Sequence, residues 1–293
     1  MEHRFHTLDV FTTNRFEGNP LAVVTDGDGL SNDTMLAIAR EMNLSETVFV
    51  QKPTDDRALA RLRIFTTKHE LKLAGHPVVG TWFLLAELGV VPAQEGAVHI
   101  MQETGAGVLP VEISFKDGRP QRVTMTQIPA VFRPAKLNKK DLASALGVAA
   151  SDFDSELEPE YVSTGVSNLM VPFKSRAALG RIEMNMNELR RLQGKDGTMA
   201  YCFALNGSNK AFTRGMLPWE LYEDPATGSA AGSLGAYLVQ HGKLSPGEKL
   251  YIQQGVEMGR PSQIEVEVDQ PGKKLVPRVS GAAVKVFEGT IRI

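Results

Sequence analysis

The chain has 293 residues, a formal net charge of −2, 42% hydrophobic and 23% charged residues, and one cysteine. That length allows two domains of roughly 100 to 200 residues each, and the hydrophobic share is that of an ordinary globular protein. The slightly acidic balance, with no basic run or Lys/Arg-rich arm, argues against a nucleic-acid partner, and a single cysteine excludes an intramolecular disulfide.

In chain order, Met1-Glu2-His3-Arg4-Phe5-His6 leads straight into a strand pattern with no apolar stretch behind a basic start. No secretory signal is expected, and a cytoplasmic location is. Residues 5–12 and 20–25 read as two strands joined through Arg15-Phe16-Glu17-Gly18-Asn19-Pro20, a run of turn formers. Ser31 suits the N-cap of a helix over 32–42, in which Met35, Ile38, Ala39 and Met42 share a face. Asn43-Leu44-Ser45-Glu46 ends that helix, and Thr47-Val48-Phe49-Val50 begins a strand. A further strand runs from Leu62 to Thr66. After a central helix come strands at 97–103, 108–115 and 121–127, the last pair turning at Asp117-Gly118-Arg119-Pro120. Asn138 caps a short helix ending at Gly147, and Asn187 to Leu192 starts another. Strands at 161–163, 168–173, 199–205 and 210–214 precede a second central helix, and four more follow at 249–254, 262–268, 275–279 and 283–292.

The two central helices organise the rest. One runs from Gly75-His76-Pro77 to Gly89 and the other from Gly228-Ser229-Ala230 to Gly242, each an apolar run closed by a glycine suited to the left-handed C′ position. Neither has a polar face of any width, so both are expected to be buried on all sides. Both fall short of the ~20 residues of a membrane span. A buried helix must be wrapped, and the flanking strands can do this twice. The expected architecture is therefore α+β: two similar domains, each a curled, barrel-like mixed β-sheet around a buried central helix. The first domain is expected over 1–117, with its helix at 76–88 and the C-terminal strand at 281–293 returning to it. The second is expected over 118–280, with its helix at 228–241.

Several residues could carry chemistry. Glu46 is a carboxylate directly ahead of an apolar strand, a setting that raises a carboxyl pKa and suits a general base or acid. A glutamate beside an apolar run can equally be an exposed strand-edge residue. Gly75-His76-Pro77 opens a helix whose free N–H groups can face an anion. His76 would stand at its positive end, as a site residue or as a capping histidine. Asp224-Pro225-Ala226-Thr227-Gly228-Ser229 repeats the theme, although an Asp-Pro pair is often only a turn. Ser229 falls where His76 falls when the two glycine-bounded runs are superimposed. If the halves are related by a pseudo-two-fold axis, both helix N-termini can face one cleft between domains. Phosphate-loop, dinucleotide, zinc-ligand and serine-elbow motifs are absent.

Asp9-Val10-Phe11-Thr12, Gly18-Asn19-Pro20-Leu21-Ala22-Val23-Val24, Asn43-Leu44-Ser45-Glu46-Thr47, Ala74-Gly75-His76-Pro77 and Glu223-Asp224-Pro225-Ala226-Thr227-Gly228-Ser229-Ala230 together resemble the PhzF-like family of phenazine-biosynthesis proteins. The five motifs occur in order over nearly the whole chain. The resemblance implies the diaminopimelate-epimerase-like fold, with an active site between two similar domains, and a cofactor-independent proton-shifting isomerase, the family's best-known member acting on trans-2,3-dihydro-3-hydroxyanthranilate. It implies Glu46 as the acid/base carboxylate, with His76, Asp224 and Ser229 as the other catalytic residues. Asn19, Gly75, His76, Thr227, Gly228 and Ser229 are implied as substrate contacts. It further implies a small carboxylate substrate, no metal and a homodimer. The chain departs from the family at Phe65-Thr66-Thr67 and at Lys72-Leu73, positions expected to shape the substrate pocket. Related racemases of this fold use two cysteines at the segments held here by Ala74-Gly75-His76 and Thr227-Gly228-Ser229. Cys202 lies outside both, so that two-thiol chemistry is not expected. A non-catalytic carboxylate-binding protein, or a lyase or hydratase using the same base, remains an alternative from the residues.

Overall fold

The computed structural model describes residues 2–194 and 199–293 and divides into two compact units. One comprises the chain up to Met125 together with Ser280–Ile293; the other is Thr126–Val279.

In the first unit, β1 (Glu2–Val10) runs antiparallel to β2 (Asn19–Val24), with Val10 opposite Asn19. Along its other edge lies the C-terminal strand, Ala283–Arg292, in a register from Glu2 against Arg292 to Val10 against Ala283. That partner explains why β1 starts at Glu2 and not at residue 5: the ladder supplies hydrogen bonds that the weakly patterned first residues could not advertise. β1 ends at Val10 because Phe11 takes φ +63°, and the expected turn formers Asn19 and Pro20 already belong to β2. Helix α1 (Asn32–Met42) begins where the Ser31 side chain accepts from the Thr34 N–H, and stops where Asn43 turns left-handed at φ +50°.

β3 (Thr47–Gln51) lies parallel to β2 and antiparallel to β4 (Ala60–Phe65), whose end pairs with the two-residue β5 (Glu70–Leu71). After α2 (Gly75–Glu87), strands β6 (Gly96–Thr104), β7 (Gly107–Lys116) and β8 (Arg119–Thr126) form an antiparallel meander. Asp117 at φ +51° and Gly118 at φ +71° make the two-residue connection that such a hairpin favours. Residue 117, where the first domain was expected to end, lies in this hairpin turn, and β8 continues the ladder, with Val111 opposite Met125.

The second unit opens with β9 (Val131–Pro134), α3 (Lys139–Leu146), β10 (Glu160–Ser163) and β11 (Ser167–Phe173). Two short helices follow, α4 (Arg176–Leu179) and α5 (Met186–Gln193), and then β12 (Met199–Leu205), β13 (Lys210–Leu217) and β14 (Tyr222–Asp224). The chain then runs through α6 (Gly228–Gln240), β15 (Leu250–Gln254), β16 (Ser262–Asp269) and β17 (Val276–Gly281). α5 starts one residue earlier than expected because Asn185 caps it through the Glu188 N–H. β5, β9, α4 and β14 lie outside the sequence expectation. They have two to four residues each, too few for a period to register; the three short strands exist because neighbours pair with them, as Glu160 does with Pro134 and Gly215 with Asp224.

α2 and α6 are both 13 residues long, and each begins at the first glycine of its run. Every residue of α2 from His76 to Ala86 is buried, as are all those of α6 from Ala230 to Leu238. Gly89 and Gly242 close them at φ +76° and +66°. α2 packs on β1, β2, β3, β7 and the C-terminal strand, and α6 on β10, β11 and β16. Each helix packs a glycine tightly against its sheet. A Cβ on Gly80 would lie 2.6 Å from Val10 Cγ2, and one on Gly235 would lie 2.6 Å from Val266 Cγ1. Wrapping the strands this tightly leaves no room for a side chain there. Trp82, fully buried on α2, donates its indole N–H to Gln102 Oε1 at 2.8 Å, so its one polar atom is satisfied. Each unit is thus a mixed sheet curled around one buried helix, the α+β arrangement expected. No helix among the described residues is long and apolar enough to cross a membrane.

Candidate active site

In the first unit the sheet and the central helix bring together residues far apart in sequence. The parallel β2–β3 pairing, with Ala22 opposite Thr47, sets the residue ahead of β3 beside β2. That residue is Glu46, whose side chain is 15% exposed. His76, the second residue of α2, is buried, and its Nε2 lies 3.3 Å from Glu46 Oε2. Asn19, the fully buried first residue of β2, places its side-chain Nδ2 3.4 Å from His76 Nδ1.

These contacts determine which ring nitrogen carries the proton. An amide nitrogen offers only hydrogens, so His76 Nδ1 accepts, and in the neutral ring Nε2 bears the N–H; its 3.3 Å approach to Glu46 Oε2 is a close contact and not a hydrogen bond. Burial pushes the His76 pKa down to about 3, and the positive end of α2 acts in the same sense. The imidazole is therefore neutral at physiological pH, and its contact with Glu46 is not an ion pair. Among the described residues, the N-terminus of α2 has no side-chain cap. Ala74 at the N-cap is extended and has no side-chain donor or acceptor, the first turn has no acidic residue, and Pro77 lacks an N–H. The N–H groups of Gly75 and His76 are left as the forward donors of a helix dipole, an arrangement suited to an anion.

The second unit builds an analogous helix start from different residues. Asp224 ends β14 and is buried; the Thr227 hydroxyl donates to its Oδ2. Gln254, the fully buried last residue of β15, anchors this segment. Its Oε1 accepts from the Thr227 backbone N–H at 3.1 Å and from the Tyr201 hydroxyl at 2.8 Å. Its Nε2 donates to the Asp224 carbonyl at 2.7 Å and to Thr227 Oγ1 at 3.0 Å. Thr213 Oγ1 donates in turn to the Tyr201 oxygen at 3.0 Å. Beside Asp224, Glu223 forms a two-pronged ion pair with Arg214, Nε to Oε1 at 2.9 Å and Nη2 to Oε2 at 2.8 Å. Gly228 is buried and Ser229 half-buried, and Thr164 Oγ1 donates to the Ser229 carbonyl at 3.4 Å. α6 has no side-chain cap among the described residues and no acid in its first turn.

Glu46, His76, Asn19 and Gly75 thus converge in one unit, and Asp224, Thr227, Gly228 and Ser229 in the other. Cys202 is buried in β12, where burial drives its thiol pKa far above the usual value and away from any thiolate role.

The family model described as phenazine biosynthesis-like protein matches residues 8–289. The chain belongs to this family. It is 37% identical over 306 residues to an uncharacterised isomerase of Mesorhizobium japonicum, covering 100% of both chains. It is 35% identical over 292 residues to the trans-2,3-dihydro-3-hydroxyanthranilate isomerase of Pseudomonas aeruginosa, covering 98% of each. The crystal structure of a PhzF-family phenazine biosynthesis protein from Bacillus anthracis superimposes with a TM-score of 0.91 at 29% identity, over the whole of both chains. The family assignment and the isomerase class of these relatives make the chain an isomerase-type enzyme with the PhzF fold.

Gln254, Tyr201 and Thr213 were not among the residues singled out by sequence. A signal existed for the first: Leu250, Ile252 and Gln254 share the inward phase of one strand, where a polar residue must find partners inside. What those partners are depends on how α6 and β13 are laid against that strand.

Proposed function

We propose that the protein is a cofactor-independent isomerase that moves a proton on a small carboxylate-bearing substrate, with Glu46 as the group that takes and returns it. The observation that carries the reading is the 3.3 Å approach of Glu46 to the neutral ring of His76 at the start of α2, a helix with no side-chain cap among the described residues. A carboxyl group on the rim of an apolar strand, beside a neutral imidazole, can shuttle a proton without releasing it to water. Beside it, the Gly75 and His76 N–H groups can stabilise negative charge that develops on the substrate as the proton leaves. The same reading gives the Gly228 and Ser229 N–H groups of the second unit to a substrate anion, and Asp224 and Ser229 to its polar substituents. Membership of a family that includes a trans-2,3-dihydro-3-hydroxyanthranilate isomerase supports a ring acid of that kind as the substrate class.

The test is proton NMR in D2O, with purified protein added to trans-2,3-dihydro-3-hydroxyanthranilate and, separately, to small amino and ring acids. Deuterium is expected at one carbon of a converted substrate, and Glu46→Gln is expected to lower its rate by about 10²- to 10⁴-fold, the usual contribution of a positioned acid or base. Turnover by Glu46→Gln at the wild-type rate rules out the assigned base.

A further inference from the structure

We infer that Gln254 is a positioning residue for Asp224: its side-chain amide, held by Tyr201 and the α6 backbone, compels the Thr227 hydroxyl to present its proton to the Asp224 carboxylate. This rests on the reading of Asp224 as substrate-facing, and it adds a residue that no motif of the family resemblance contained.

The direction of each hydrogen bond follows from groups with no choice of role. The Thr227 backbone N–H can only donate, so the atom of Gln254 that faces it is the oxygen, Oε1. The Asp224 carbonyl can only accept, so the atom that faces it is the nitrogen, Nε2. The amide is therefore fixed at both ends by main chain. Its nitrogen points a hydrogen at Thr227 Oγ1, which makes that oxygen an acceptor on this side. The hydroxyl has one proton, and it goes to the neighbour on the other side, Asp224 Oδ2. Tyr201 gives its own proton to Gln254 Oε1 and receives one from Thr213, which completes the acceptor capacity of the amide oxygen. Gln254 thus makes two bonds through each of its polar atoms in a fully buried position. A satisfied network of this kind specifies one arrangement, because any rotation leaves a buried group without a partner.

Two consequences bear on the site. Asp224 receives a donor from inside the protein on one carboxylate oxygen, which fixes the orientation of the carboxylate. The Thr227 N–H and O–H are both spent within the protein, so the donors that the start of α6 can offer outward come from Gly228 onward. The space for the amide is also reserved: a Cβ on Gly215, opposite Asp224 in the β13–β14 ladder, would lie 2.8 Å from Gln254 Nε2 and 3.2 Å from Thr227 Oγ1.

The experiment compares wild type with Gln254→Met, which keeps the volume and removes all four bonds, and with Tyr201→Phe, a milder change should the first variant not fold. In protein labelled with ¹³C-aspartate, the Asp224 carboxyl carbon is followed by NMR through a pH titration that needs no substrate. Loss of the forced donor is expected to raise its midpoint by about one pH unit in Gln254→Met, and by less in Tyr201→Phe. Turnover of trans-2,3-dihydro-3-hydroxyanthranilate is expected to fall about tenfold or more in kcat for Gln254→Met, with a smaller change in KM. A titration identical to wild type in whichever variants fold overturns the inference, and so do wild-type kcat and KM in Gln254→Met. An inert wild type, by contrast, removes the isomerase reading and leaves the titration to decide the role of Gln254.

Discussion

Asn19 and His76, 57 residues apart in the chain, meet through Nδ2 and Nδ1 at 3.4 Å, a contact that leaves the ring proton on Nε2, the nitrogen 3.3 Å from Glu46 Oε2. The first strand after the Gly18 turn therefore governs the protonation pattern of a ring on the central helix. Replacing Asn19 by Leu removes the donor while keeping an apolar strand residue. The expected result is a loss of about 10-fold or more in kcat with a smaller effect on KM, together with a change in the His76 ring-nitrogen shifts in ¹⁵N NMR. Unchanged ring shifts would show that Asn19 does not determine the tautomer.

Histidine 76 also makes stability depend on pH. Its pKa is near 6.5 in the unfolded chain and is pushed down to about 3 by burial in the fold. Between these values the unfolded state binds a proton that the folded state refuses, so stability falls as pH drops below about 6.5. In urea titrations, the unfolding free energy of wild type should decline relative to His76→Gln by on the order of 2 kcal/mol between pH 7 and pH 5. Parallel declines in the two proteins would place the ring in water.

Gly80 tests how closely α2 is wrapped. Alanine is the better helix former by about 1 kcal/mol, yet its methyl would collide with Val10 Cγ2 at 2.6 Å and Leu21 Cδ2 at 2.7 Å. Overpacking costs about 1–3 kcal/mol, so Gly80→Ala is expected to be net destabilising, read as a lower urea midpoint with an unchanged m-value. A stabilised variant would mean that the strands give way freely.

The ion pair between Arg214 and Glu223 is nearly closed to solvent, with side chains 8% and 13% exposed, and Arg214 also donates to the Ile182 carbonyl at 3.0 Å. Removing one partner strands a buried charge. Glu223→Gln is expected to destabilise the second unit by about 3–5 kcal/mol, measured by chemical denaturation, and replacing Arg214 and Glu223 together by Met and Leu should cost less than either single change.

Much of this protein was legible because its strongest signals are local. The α1 cap at Ser31, the α3 cap at Asn138, the left-handed closures at Gly89, Gly147 and Gly242, and the apolar runs of α2 and α6 each depend on a few adjacent residues. The same holds for the candidate site as a set of motifs, since Asn19, Glu46, His76, Asp224 and Ser229 each sit in a short, ordered pattern. Tertiary structure decided the rest. Strands of two to four residues at β5, β9 and β14 exist through their partners, and the first unit runs on to Met125 because β8 completes a ladder. The proton on His76 Nε2, the donor aimed at Asp224 and the anchoring role of Gln254 are likewise outcomes of packing. Hydrogen-bond direction is set by which groups meet across a sheet or at a helix start, and a one-dimensional pattern carries the identities of those groups without saying who faces whom.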